Sequence, residues 1–339
     1  MCKKRVTVRD LSKYCGVSTA TVSRVINNNG RFSEDTRRHV LEAVEKLGYI
    51  PDDSAKSLRT QSSRVVGILM NHLDQAMPLE LMSRMQDLLF SEGFTPMLCN
   101  IESRPDRELF YLNMLQSIHA CAIIVMMNCG VSDRLLNAGI PIIFAYRNPM
   151  PGHLVNKSIC VVQTDDYGAG VVAGEELLRL GCKRISEVRV RNADQRVPLG
   201  RHLGLMNTLF RYNMDYDEAL EIIIESNTFD VILNAMNQKL DSGSIADGYF
   251  CVNDVLALAL IASLAEHGYR VPEDVKVIGC NDMYCSTLSV RPITTIRHDE
   301  NKICEITVNI LKRMLKGEVI PEEERMQTVP VTLIRRATT

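Results

Sequence analysis

Between Thr7 and Tyr49 the apolar residues recur at helical spacing in three short runs. Val8, Leu11 and Cys15 line the first, Val22 and Ile26 the second, and Val40, Val44 and Leu47 the third. The first two are separated by Gly16-Val17-Ser18. Gly16 can take the positive φ that ends a helix, and Ser18 can cap the next one through its hydroxyl. From Arg64 onward the pattern changes to apolar strands alternating with amphipathic helices. Strands are expected at 65–70, 95–101, 121–127, 141–146, 158–164, 184–190, 249–252, 275–280, 293–297 and 329–335. Helices are expected between most of them, at 79–91, 106–118, 169–180, 254–267 and 301–315. Such alternation points to parallel sheets wrapped by helices, and so many strands favour two lobes over one sheet.

Apart from its apolar stripe, the second short helix carries Thr19, Ala20, Thr21, Ser23, Arg24 and Asn27. This face is small, polar and free of acids, as a helix entering a DNA major groove requires. A three-helix bundle that binds nothing fits the periodicity equally well, and charge separates the two readings. Residues 1–64 hold 13 Lys and Arg against 7 Asp and Glu, a net of +6, whereas the whole chain is −2 and the other 275 residues carry −8. A basic module on an acidic body is the asymmetry of a DNA-binding head.

A length of 339 residues allows two or three domains, and 46% apolar residues suit a packed globular chain. No apolar run approaches the ~18 residues of a membrane span, and the N-terminus lacks the apolar core of a signal peptide. A cytoplasmic location is expected. The 11 cysteines form no C-x-x-C pair and most sit in apolar runs, so they read as reduced core thiols. The 7 histidines have no metal-site spacing.

Residues 51–63 follow as a short segment with a linker ending. Pro51 stops the preceding helix, Asp53 or Ser54 can cap a very short one, and Leu58 stands between Lys56 and Arg59. An apolar wedge flanked by cations suits insertion from the minor groove. An ordinary linker with one leucine is the plain alternative.

Three runs together carry a resemblance: Val17-Ser18-x-Ala20-Thr21-Val22-Ser23-Arg24-Val25-Ile26-Asn27, Leu47-Gly48-Tyr49-x-Pro51, and Ala55-x-Ser57-Leu58. The chain resembles the LacI/GalR family of bacterial transcription regulators over nearly its full length. The resemblance implies an all-α helix-turn-helix head (residues 1–50), a hinge helix and linker (51–63), and an α/β core (64–339). The core would be two doubly wound parallel-sheet lobes of periplasmic-binding-protein type. Lobe one is expected at about 64–164 and 292–325, and lobe two at about 165–291 and 326–339. Lys56 stands where the family often has Arg, which keeps the charge and loses the bidentate fork. By resemblance Thr19, Ala20 and Arg24 reach base edges. Thr7, Ser18, Thr21, Ser23, Asn27, Arg31, Ser33 and Tyr49 are positioning or phosphate-side residues, and Lys56 and Leu58 serve the hinge.

Gly168-Ala169-Gly170-Val171-Val172-Ala173 fits the G-x-G-x-x-A turn of dinucleotide sites. Asp165 and Asp166 precede it and would repel a pyrophosphate, and Arg189, Val190 and Arg191 occupy the place of the ribose-binding acid. A cofactor is therefore not expected, and no catalytic triad, nucleophile elbow or Walker motif is present. The acidic pair Glu175-Glu176 reads as solvated.

Ligands in such cores sit between the lobes at the carboxyl ends of strands. The resemblance implies effector contacts from Gln75, Met77, Tyr146, Arg147, Arg201, Asn253 and Asn281, with Asp254 capping the helix that follows. Two carboxylates suited to sugar hydroxyls are replaced here, by Tyr146 and by Asn281. Arg189, Arg191, Arg196 and Arg201 crowd the expected cleft. They suggest an anionic effector, because arginine pairs well with planar or tetrahedral anions; a solvated loop is the competing reading. The expectation is a homodimeric repressor with no enzymatic activity, no metal and no cofactor, binding near-palindromic operator DNA under control of a small-molecule effector. A cytoplasmic small-molecule-binding module without operator binding is the alternative. Induction and corepression both remain open.

Overall fold

The computed structural model describes residues 6–26, 28–49, 63–71, 76–126, 132–146, 159–191, 196–225 and 228–339, with the backbone alone at 76–79, 196–198 and 229. Contacts divide the chain into two units, Met1–Ser63 and Arg64–Thr339.

In the first unit, α1 (Val8–Cys15), α2 (Thr19–Ile26) and α3 (Glu34–Leu47) enclose one small core. Leu11, Cys15, Val22, Val25, Val40 and Ala43 are its buried members, and Val8, Ile26, Val44 and Leu47 pack on it. Val25 and Ala43 lie deeper than the expected Ile26 and Val44, because each helix turns its flank, not only its regular stripe, toward the other two. Gly16 and Gly48 end α1 and α3 in the left-handed conformation.

The second unit contains two six-stranded sheets. The first comprises β1 (Val65–Met70), β2 (Thr95–Asn100), β3 (Ala122–Met126), β4 (Ile142–Tyr146), β5 (Ile159–Thr164) and β11 (Met326–Val329). Its order is β11-β5-β4-β3-β1-β2, and every pairing is parallel. The second comprises β6 (Ile185–Val190), β7 (Ile222–Ile224), β8 (Gly248–Cys251), β9 (Lys276–Cys280), β10 (Thr294–His298) and β12 (Val331–Ile334), in the order β12-β10-β9-β8-β6-β7. Only β12 runs antiparallel in it, against β10. Near-continuous apolar strands such as β3 and β4 are buried on both faces, as parallel sheets covered by helices require.

Helices α4 (Ala76–Ser91), α5 (Pro105–Ser117) and α6 (Asp133–Leu136) follow strands of the first sheet. The second sheet has α7 (Asp166–Arg179), α8 (Arg196–Arg211), α9 (Phe229–Asp241), α10 (Asp254–Glu266) and α11 (Tyr284–Leu288). The last helix, α12 (Glu300–Leu315), returns to α4, β4 and β5 of the first lobe.

The lobe boundaries differ from the sequence expectation at two strands. Residues 294–298, expected in lobe one, form β10 of the second sheet, and residues 326–329, expected in lobe two, form β11 of the first. The chain therefore crosses after Thr164, after His298 and at Pro330. The expected single strand at 329–335 is two strands in different sheets. Pro330 lies between them, and without an N–H it cannot continue a ladder. The strand Ile222–Ile224, not anticipated, forms the edge of the second sheet.

Candidate nucleic-acid interface and inter-lobe cleft

In the head, three of the expected DNA-side residues are also helix caps. Thr7 forms a capping box with Asp10: the Thr7 hydroxyl accepts from the Asp10 N–H, and the Asp10 carboxylate accepts from the Thr7 N–H at 2.9 Å. Ser18 Oγ accepts from the Thr21 N–H at 3.1 Å, and Ser33 Oγ from the Thr36 N–H at 3.2 Å. Each cap fixes the start of its helix, α1, α2 or α3, by satisfying one first-turn N–H. With Val22 and Val25 turned inward, α2 presents Thr19, Ala20 and Arg24 to solvent, and Thr21 and Ser23 half-buried beside them. Arg31 is exposed, and Tyr49 packs partly against the head core. Asn27, Lys56 and Leu58 lie outside the described residues, as do Gln75, Arg147 and the side chains of Met77 and Arg196.

At the carboxyl ends of the core strands, Arg201 is the hub. It is 2% exposed, although it is the largest wholly buried side chain described. Its Nε donates to Asp166 at 2.8 Å, its Nη1 to the Val252 carbonyl, and its Nη2 to Asn281 Oδ1 at 3.4 Å, with His298 Nε2 3.2 Å away. Next to Arg201, His298 Nε2 can serve as an acceptor, and Cys280 Sγ lies 3.5 Å from the same nitrogen. Tyr146, at the end of β4, is fully buried with its ring against His298. Tyr146, Asn281 and Asp282 all have positive φ, at 79°, 98° and 51°. Backbone strain of this kind concentrates where side chains must be aimed at a ligand or partner.

The glycine motif at 168–173 has a packing role. Gly168 N–H is accepted by Asp165, the cap of α7. A Cβ at Gly170 would lie 1.9 Å from the Arg201 carbonyl oxygen, and one at Gly204 would lie 2.1 Å from that of Tyr167. The two glycines let α7 and α8 cross in backbone contact, which sets the root of the Arg201 side chain.

Several sequence expectations change here. Asn253, not Asp254, caps α10, its Oδ1 accepting from the Leu256 N–H at 2.9 Å. Asp254 instead lies fully buried, accepting from Thr295 Oγ1 at 2.5 Å and from the Met283 N–H at 2.6 Å. Burial pushes its carboxyl up to about 7, against the lowering effect of those hydrogen bonds. Glu176 is not solvated: it is held by both Arg179 and Arg335, whose hydrogen bonds bring its pKa down to about 2. The three described arginines of the cluster are already paired. Arg189 meets Glu187 at 3.0 Å and Glu221 at 2.8 Å, Arg191 meets Glu225 at 3.5 Å, and Arg201 meets Asp166. The positive charge of these three arginines is offset within the protein, by the nearby Glu187 and by acids distant in sequence. Every described cysteine is free, and eight of the nine are buried.

Between the lobes, Glu80, Arg84, Glu300 and Asn301 from α4 and α12 face Asn281, Asp282, Arg297, His298, Asp299 and Thr332 across a polar cavity of about 480 Å³. This is the size of a small-molecule site.

Residues 7–52 match the sequence model described as bacterial regulatory proteins of the lacI family, and residues 175–339 match that of the periplasmic binding protein-like domain. The chain is 27% identical to the HTH-type transcriptional repressor PurR of Haemophilus influenzae, over 98% of each protein. It is 29% identical to that of Aliivibrio salmonicida, over 92% of this chain and 93% of the other. Its fold is that of the lac repressor dimer bound to operator and the anti-inducer ONPF, with a TM-score of 0.87 at 23% identity over 99% of both chains. It is also similar to the transcriptional regulator CelR in complex with cellobiose, with a TM-score of 0.71 at 23% identity over 99% of this chain and 100% of the other. The chain belongs to the LacI/GalR family of bacterial transcriptional regulators: it is a DNA-binding repressor with an effector-binding core. No helix among the described residues is long and apolar enough to cross a membrane.

Proposed function

We propose that this repressor is cytoplasmic, acts as a homodimer on a near-palindromic operator, lays α2 of each head in a major groove, and has no catalytic activity. The observation that carries this reading is the outer face of α2, where Thr19, Ala20 and Arg24 are exposed while Val22 and Val25 are buried. Arg24 is the guanine reader, a pairing worth about 1–3 kcal/mol of discrimination, and Ala20 offers a methyl to thymine. Thr7, Ser18, Thr21, Ser23, Asn27, Arg31, Ser33 and Tyr49 hold phosphates or the helices that carry the contacts. Lys56 and Leu58 form the hinge wedge. Dimerisation is supported by apolar side chains that lie exposed on α10 and around α11, with Val255, Leu258, Tyr284, Leu288 and Val290 all open to solvent.

The effector occupies the inter-lobe cavity that Asn281 lines, where the buried Arg201 and Tyr146 act through the lining residues Asn281 and His298, and Gln75, Met77, Arg147, Asn253, Arg189 and Arg191 are the other expected contacts. Because the described arginines there are neutralised by Asp166, Glu187, Glu221 and Glu225, a neutral polar effector fits the charge balance better than an anion. Thermal-shift screening of neutral sugars and nucleobases against phosphorylated sugars and carboxylic acids tests this. Stabilisation by the anions alone would contradict it. For the DNA reading, Arg24→Ala should weaken binding to retained genomic fragments at least tenfold in gel shifts, and unchanged retention would refute the role of Arg24.

A further inference from the structure

Apart from the Arg201 network, the second lobe holds a compact cluster of Glu187 on β6, His202 on α8 and Glu221 at the approach to β7. One ligating atom from each lies within 4.8 Å of the others. His202 Nδ1 is 2.7 Å from Glu187 Oε1, and the Tyr216 hydroxyl donates to Glu221 Oε1 at 2.7 Å. Glu187 is wholly buried, and its second oxygen, Oε2, has no hydrogen-bond partner among the described residues. A buried carboxylate oxygen without a donor is costly, and a strand interior seldom carries a glutamate unless something compensates it. Arg189 supplies part of that compensation through Glu187 Oε1 and Glu221 Oε2, and leaves Glu187 Oε2 untouched.

We propose that Glu187, His202 and Glu221 form a divalent-cation site. Two carboxylate oxygens and one imidazole nitrogen are a ligand set for zinc, manganese or cobalt, with water completing the coordination; calcium and magnesium prefer oxygen alone. The ion engages Glu187, one oxygen of Glu221 and His202 Nδ1, with the histidine proton on Nε2. Tyr216 holds Glu221 in place from the outside, the usual service of a hydrogen bond to a ligating carboxylate. Arg189 is the internal competitor. Its side chain is 29% exposed, so its guanidinium can swing to solvent as the ion arrives, and two carboxylates with one dication leave the cluster neutral. His202 adjoins Arg201 on α8, so an ion here pins the helix that carries the hub of the cleft.

The full-length chain, stripped with chelator and kept reduced, is titrated with cobalt(II) and followed by its visible absorption, and with zinc and manganese by thermal unfolding. The expected result is one equivalent bound with a rise in Tm. Glu187→Gln and His202→Asn should each weaken binding by at least about tenfold, the usual cost of losing a ligand or its support. Arg189→Gln should tighten binding by about the same factor, because it removes the competing cation. An ordinary ion-pair cluster would instead lose Tm in Arg189→Gln and gain no response to metal. His202 is partly exposed, so the asparagine variant keeps the test valid if Glu187→Gln does not fold. No cobalt binding by the native chain would overturn the proposal. Equal binding in native and His202→Asn proteins would also overturn it, by placing the ion on thiols or elsewhere.

Discussion

The ring of Tyr146, at the end of β4 in the first lobe, stands edge-on to the imidazole of His298, at the end of β10 in the second, with centroids 5.6 Å apart and planes at 70°. His298 in turn touches Arg201 and Cys280, so one aromatic contact joins the first lobe to the buried hub of the second. Both residues are the last of their strands, at the cleft, and any movement of one lobe against the other must change this pair. His298→Ala removes an aromatic contact and an acceptor for a charged donor, together about 2 kcal/mol. The core transition should fall by roughly 4–8 °C in thermal unfolding. An unchanged Tm would show that the pair carries no load.

The crossing of α7 and α8 makes a sharper steric prediction. Gly170→Ala sets a methyl against the Arg201 carbonyl, a backbone atom that cannot yield, and should cost about 3 kcal/mol. Gly174→Ala, on the same helix, meets only the side chains of Thr208 and Leu205 at 3.1–3.2 Å and should cost much less. Urea unfolding of the two variants side by side gives the comparison, and equal losses would contradict the close crossing.

Asp254 sets a pH dependence. Its folded pKa, about 7, lies above the ordinary carboxylate value, so the folded state binds its proton more tightly than the unfolded state does. The contribution is therefore favourable at low pH and is lost as pH rises from about 4 to about 7. Asp254→Asn should flatten that part of the stability profile, by an amount on the order of a few kcal/mol between the two ends. Glu176 acts in the opposite sense. Its folded pKa is lowered by Arg179 and Arg335, so its stabilisation is full above the ordinary carboxylate range and is lost as pH falls toward about 2. Denaturant midpoints at pH 4.5 and pH 8 for native and Asp254→Asn proteins isolate the first effect. An identical pH response would refute the assignment.

The homodimer reading rests on the apolar face of α10 and α11. The native chain should elute with twice the 38.1 kDa mass of the monomer, and Leu288→Glu should shift it toward the monomer. A native monomer at micromolar concentration would contradict the dimer.

What could be read from the chain follows the range of the forces involved. The head was legible because its signals are local: apolar spacing, Gly16 as a terminator and Ser18 as a cap all act within a few residues, and the same local logic places Ser33 and Gly48 at the ends of α3. The sheets were legible as alternation, but their membership was not. Which lobe owns 294–298 or 326–329 depends on pairings with strands far away in sequence, and Pro330 marks the break only once those pairings are known. Asn253 and Asp254 are adjacent residues, each able to cap, and only the path of the backbone decides between them. The arginines of the cleft looked unpaired because Glu221 lies 32 residues beyond Arg189 and Asp166 lies 35 residues before Arg201. The Glu187 cluster was missed for the same reason, although a glutamate inside an apolar strand was a signal that could have been followed.

On the proposed function, this chain reads a specific two-fold DNA site through α2. Selection of bound sequences from random duplex DNA by the full-length protein, followed by affinity measurements across a salt series, tests it most directly. Two-fold reading of this kind predicts enrichment of a near-palindrome with two matching half-sites. It also predicts affinity falling steeply with salt, with a log–log slope of about −0.9 for each phosphate contact. Recovery of no common sequence, or a flat salt response, would contradict it.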